Sequence, residues 1–136
     1  MKEIVRWAVI LVLGLVALAA CTTYKPHGFG GGYTDFPMGQ NKHRIEVRGN
    51  GYTSRERVQN MALVRAADIA LQQGYEHFFV LDTQNDTKIR AANVHESGLV
   101  STIDNDYVIM IIELTNDPDA VNARQILQQL GPQVGR

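Results

Sequence analysis

The 136 residues hold 13 Lys and Arg against 14 Asp and Glu, a net charge of -1 at pH 7. A chain of this size has room for one domain, and so balanced a charge gives no reason to expect nucleic acid or another polyanion as partner. The single cysteine, Cys21, excludes an intramolecular disulfide, so the fold must rest on its apolar core.

Lys2 and Arg6 precede an uncharged apolar run over residues 7–18, which ends at the small pair Ala19-Ala20. A charged leader, an apolar stretch and a small-residue cleavage site make a secretory signal. As a permanent span the run is too short, because a bilayer core takes roughly 20 apolar residues to cross. Leu18-Ala19-Ala20-Cys21 then has the layout of a bacterial lipobox. A thiol at the membrane interface accepts a diacylglyceryl group as a thioether, and the small residues before it let a signal peptidase grip the extended backbone. Cleavage between Ala20 and Cys21 leaves an amine open to a further acyl chain such as palmitate. One chain anchors only marginally, at about 0.8 kcal/mol per buried methylene, whereas three make release negligible. The alternatives are an uncleaved anchor, or an ordinary secretory signal that leaves Cys21 a free thiol. The residue after the cysteine is Thr22 rather than Asp, which by resemblance to enterobacterial sorting implies the inner leaflet of the outer membrane, facing the periplasm.

Four segments are expected: a signal peptide over 1–20, the lipidated cysteine and a Gly/Pro-rich tether over 21–41, one globular domain over 42–131 and a tail over 132–136. The tether has no apolar periodicity and reads as a linker that lets the domain stand off the membrane. Tyr33, Phe36 and Met38 are more apolar than a spacer needs, so its end is expected to lie on the domain. Its glycine run follows no strand, opens no helix and lacks a Lys-Ser/Thr pair, which argues against a phosphate-cradling loop.

Within the domain, residues 43–48 alternate, with Ile45 and Val47 on one face of a strand and Arg44, Glu46 and Arg48 on the other. Gly49-Asn50-Gly51 breaks the pattern, and Thr53 with Glu56 predicts a capping box that opens a helix. At helical spacing Val58, Ala62, Leu63, Ala66, Ile69 and Ala70 share a buried face, with Arg57, Arg65, Asp68 and Gln72 opposite and Gly74 as the stop. Residues 77–82 read as a strand covered on both faces, parallel to the first through a right-handed crossover. Residues 83–106 read as a long excursion in which 87–94 can pair as an edge strand, and 107–114 as a central strand. Asp117-Pro118 predicts the cap and first turn of a second helix with Val121, Ile126, Leu127 and Leu130 on its apolar face, ended by Gly131-Pro132. The expected fold is thus α+β or α/β: a small mixed sheet of three to four strands, order β-α-β-β, with a long helix on one face and a short C-terminal helix.

Several pieces carry a resemblance: Gly32-Tyr33-Thr34-Asp35, residues 44–47, Gly49-Asn50, Thr53-Ser54-Arg55-Glu56, residues 62–68, Gly74-Tyr75, residues 78–82, and Asn122-Ala123 with Ile126-Leu127 and Leu130-Gly131-Pro132. In these the chain resembles a family of small proteobacterial lipoproteins of unknown function. It departs at Asp68, where Glu is commoner, at Asn122, where Asp is commoner, and across 83–106. The resemblance implies a fold and an address, and no reaction.

Candidate sites are sparse. His27, His43, His77 and His95 show no ligand spacing, so no metal is expected. The acidic runs Asp82-Thr83-Gln84-Asn85-Asp86 and Asp104-Asn105-Asp106 supply oxygens, but an EF-hand reading fails at Thr87 and Asn93, where Gly and Glu belong. Arg65 and Asp68 stand at pairing distance along the helix, worth roughly 0.2–0.5 kcal/mol. Arg57, Arg65 and Asp68 are the candidate partner-binding residues; a solvated helix face is the simpler alternative. The Gly-Asn-Gly loop beside the helix start is a weaker candidate, for an anion. No nucleophile-base or paired-carboxylate spacing suggests a hydrolase, and no cofactor is expected. The expected function is a non-enzymatic adaptor or binding module of the envelope, held by its lipid and touching another envelope protein or the cell wall. An envelope-stress or assembly lipoprotein is the alternative, and a hydrolase the third.

Overall fold

The computed structural model describes residues 1–18, 24–26, 28, 31–50, 52–81, 88–89, 101–104 and 107–136. A helix α1 covers Lys2–Leu18, with Ile4, Val5, Trp7, Val9 and Ile10 exposed along it. Among the described residues no helix is long and apolar enough to cross a membrane.

The rest is one α+β unit built on an antiparallel sheet. Its strands are β1 (Gly32–Gly39), β2 (Lys42–Arg48), β3 (His77–Leu81), β4 (Lys88–Ile89), β5 (Ser101–Asp104), β6 (Tyr107–Thr115) and β7 (Val121–Asn122). They run in the order β1-β2-β6-β3-β4, with β5 beside β6 and β7 beside β3. The expected crossover from β2 through the long helix α2 (Arg55–Gln72) to β3 is present, and the two strands do run parallel. They are not neighbours, however: β6 lies between them, antiparallel to both, so every described strand pair is antiparallel. The strand count exceeds the expected three to four because β1, β4, β5 and β7 add short or edge pairings. Of these, β4 falls inside the expected edge strand at 87–94.

Period-two patterning decides the faces. Ile45 and Val47 of β2, Val108, Met110, Ile112 and Leu114 of β6, and Phe78 and Val80 of β3 form a buried face under α2. All six residues expected on the buried face of α2 are buried. So are Met61, Val64, Ala67 and Asp68, because a second helix, α3 (Ala123–Leu130), packs on α2 and Val134 of the following 3-10 turn is fully enclosed. β3 is covered on both sides: Phe79 and Leu81 pack with Ala120 and Ile111 on the face away from α2.

Two caps differ from expectation. Ser54, not Thr53, caps α2 by accepting from the Arg57 amide at 3.2 Å, while the Thr53 hydroxyl donates to Asn50 Oδ1 at 3.0 Å. Asn122, not Asp117, caps α3, accepting from the Gln125 amide at 3.0 Å. Asp117 instead closes a tight turn onto the Asp119 amide, so Val121 and Asn122 remain extended and pair with β3. Gly74 does end α2: at φ +84° it lets the Tyr75 amide reach Ala70 O and its own amide reach Leu71 O, a Schellman closure.

The largest difference lies at the two ends of the domain. Residues 32–39, assigned to the tether though its end is expected to lie on the domain, form a full strand β1, joined to β2 by a two-residue hairpin in which Gln40 and Asn41 both take positive φ, as a type I′ turn requires. The expected tail carries buried Val134 and an Arg136 paired to the long helix. The glycines that suggested flexibility at 31 and 32 are close-approach residues. A Cβ on Gly31 would stand 2.3 Å from Arg48 O, and one on Gly32 would stand 2.5 Å from Lys25 O.

Candidate functional site

Polar side chains gather in two places, one on each face of the sheet. On the α2 side, at the outer edge of β1, four pieces of chain meet: residues 24–26, β1, α2 and the C-terminal turn. The Tyr24 amide donates to Val134 O at 3.0 Å and the Tyr33 amide to Lys25 O at 2.9 Å, so the N-terminal segment is stitched to both the turn and the strand. The Tyr24 and Tyr33 rings lie 4.9 Å apart, and the Tyr24 hydroxyl donates to Asp68 Oδ2. Asp68 also takes Arg136, Nη2 to Oδ1 at 2.7 Å and Nε to Oδ2 at 3.1 Å. Next to it Arg65 Nε donates to Asp35 Oδ1 at 2.7 Å, with its guanidinium 4.5 Å from the Tyr33 ring centre.

Burial sets the electrostatics here. The Asp68 side chain is only 9 % exposed and that of Arg65 15 %, so each ion needs its partner. Burial, and then the hydrogen bond to Asp68 and its charge, push the Tyr24 phenol far above the ordinary tyrosine range. Burial works against the charge of Arg65, but Asp35 more than compensates and the guanidinium is held more firmly protonated. A phenol locked in its neutral form and two ions already paired are poor acids, bases or nucleophiles. The seam clamps these segments together.

Arg65 and Asp68 both belong to this seam but do not pair with each other: Arg65 turns to Asp35 and Asp68 to Tyr24 and Arg136. Arg57 lies further along α2, its Nη1 donating to Gln133 O at 2.7 Å. Reversing Arg57 or Arg65 would therefore disturb the fold, and such variants do not isolate a docking role. The amides of the Gly-Asn-Gly loop, expected as a weak anion seat, are used internally: Asn50 N donates to Thr53 Oγ1 at 3.1 Å and Tyr52 N to Asn50 Oδ1 at 2.9 Å. Ala20, Cys21, His27, His95 and most of the acidic runs lie outside the described residues. Of the remaining histidines, His43 is on β2 and His77 on β3, separated by β6, and the described residues contain no cluster of three metal-ligating side chains.

Sequence reading missed Tyr24, Tyr33, Asp35 and Arg136 as members of one cluster. Tyr33 and Asp35 sit two apart, as one face of a strand requires, and that spacing was the available signal; Arg136 carried none.

The second cluster lies on the opposite face. Arg44, Glu46 and Arg48 project from β2 away from α2. Arg44 pairs with Glu46 at 2.8 Å, Tyr107 donates to Glu46 Oε2 at 2.9 Å, and Arg48 stands 4.8 Å from the Tyr107 ring centre. Burial and the Glu46 carboxylate raise the Tyr107 phenol above its ordinary range. A cavity of about 220 Å³ opens here, lined by Gly32, Thr34, Glu46, Arg48 and Tyr107. Phe36 on the same face is half exposed. Its strand, β1, is a poor template for an added strand, because Pro37 removes a donor and the register shifts between Pro37 and Gly39.

No protein-family model matches this chain, nor does any curated protein or any solved structure.

Proposed function

We propose that this chain is a lipid-anchored envelope lipoprotein whose domain is a non-enzymatic binding module, held at the inner leaflet of the outer membrane. The observation that carries the reading is the order of chemistry at the N-terminus: Lys2 and Arg6, an apolar run, then Leu18-Ala19-Ala20-Cys21. Acylation of Cys21 turns a secreted domain into a membrane-bound one. The resemblance to small proteobacterial lipoproteins supports the same reading.

For the binding role, the outer sheet face is the better candidate than the helix arginines. Arg48 and Tyr107 bring a cation and an aromatic ring to a shallow cavity, and Phe36 stands exposed elsewhere on the same face, the mixture that protein partners use as anchors. Arg57 and Arg65 already serve the fold.

The test is metabolic labelling with a palmitate analogue, together with the intact mass of protein purified from membranes. Wild-type protein should carry label and a mass beginning at acylated Cys21, and Cys21→Ser should carry neither. An intact leader, or an unmodified thiol on a soluble product, contradicts the proposal. Crosslinking from position 36 or 48 in cells should then capture an envelope partner that Arg48→Ala loses.

A further inference from the structure

We infer that the clamp at Tyr24 is a short mooring, which holds the corner of the domain formed by the start of β1 and the C-terminal turn against lipid headgroups instead of letting the domain range on a long leash. The inference rests on the lipoprotein reading above and adds the surface that meets the membrane.

Reach decides where the domain sits. A free linker over residues 22–40 would have a root-mean-square length of about 24 Å. Yet Tyr24 is already fixed to the domain, through its amide on Val134, its hydroxyl on Asp68 and its ring against Tyr33. Tyr24 is the third residue after Cys21. Three residues span at most about 11 Å even when fully extended. With its sulfur acylated in the bilayer, Cys21 draws the Tyr24 flank to the headgroups. The hairpin tip at Gln40 and Asn41 lies seven residues along β1 from Tyr33, about 23 Å away at strand rise.

The charge on this flank suits a phosphate-rich surface. Lys25 follows Tyr24, and Arg136 keeps a side chain 43 % exposed, while the acid between them, Asp68, is buried and paired. Single basic contacts such as these add a small electrostatic increment to an acyl anchor.

The experiment uses full-length lipidated protein in vesicles of phosphatidylethanolamine and phosphatidylglycerol carrying a headgroup quencher. Because the Cys21 sulfur would be a thioether, a cysteine introduced at Gln133 or at Asn41 is the one reactive thiol and takes a fluorophore. The label at 133 should be quenched about threefold more than the label at 41, given the difference in reach. A fifteen-residue Gly/Ser spacer inserted between Thr23 and Tyr24 should abolish the difference without touching the clamp. Equal quenching at both positions in the unmodified protein, or a spacer with no effect, overturns the mooring. Protein that neither floats with the vesicles nor carries acyl mass overturns the lipoprotein reading itself, and the mooring with it.

Discussion

The two faces of the sheet use the same residue types, arginine, tyrosine and a carboxylate, for different ends. On the α2 side they join segments far apart in sequence, Tyr24 to Asp68, Asp35 to Arg65 and Asp68 to Arg136, and Asp68, the acid that two of these contacts share, is only 9 % exposed although Arg136 stays 43 % exposed. On the outer face Arg44 and Glu46 sit two apart on one strand, and the carboxylate is 25 % exposed against 9 % for Asp68. A desolvated ion depends on its partner, whereas an exposed pair contributes little and leaves its members available to others. The first arrangement builds the domain and the second presents a surface.

That contrast can be broken in order of expected size. Gly31→Ala meets both a positive φ and the Arg48 carbonyl, and should destabilise on the order of 3 kcal/mol by urea titration. Asp68→Ala leaves Tyr24 and Arg136 without their shared acceptor and should cost about 2–3 kcal/mol. The matched change on the outer face, Glu46→Ala, should cost about 0.5 kcal/mol. Equal losses at the two carboxylates would erase the distinction.

A pH series sharpens it. The raised Tyr24 phenol favours the protonated form in the folded state, so its contribution is fully present below the ordinary tyrosine pKa, about 10, and is lost as pH rises through the folded value. Stability should therefore fall above about pH 10, and Tyr24→Phe should fall less steeply over that window. The smallest effect is at the hairpin, where Gln40→Asn with Asn41→Gly suits the positive φ angles and should gain about 0.5 kcal/mol.

Much of the core was legible in the sequence. The alternation of Ile45 and Val47, the alanine-rich face of α2 and the apolar run of β6 each bury as their spacing requires, and Gly74 ends its helix. What was not legible was non-local. Nothing in residues 77–114 says that β6 inserts between β2 and β3, because strand order depends on which pairing buries most and not on sequence proximity. Thr53 resembles a cap until Asn50 claims its hydroxyl, and Asp117 until β7 keeps the chain extended. The glycines at 31 and 32 read as flexible because composition cannot separate a glycine needed for freedom from one needed for close approach. Arg65 and Asp68 read as a pair at helical spacing, whereas their partners lie at positions 24, 33, 35 and 136, which no local spacing reveals.

The segment around Tyr24 belongs to the folded domain, tied to Val134, Asp68 and Tyr33. Native-state amide hydrogen exchange tests it most directly at the Tyr24 and Tyr33 amides, which donate to Val134 O and Lys25 O. Both should exchange about a thousandfold or more slower than an unstructured chain, in step with the strands of the core. Exchange of either amide at the rate of a free linker would contradict the account.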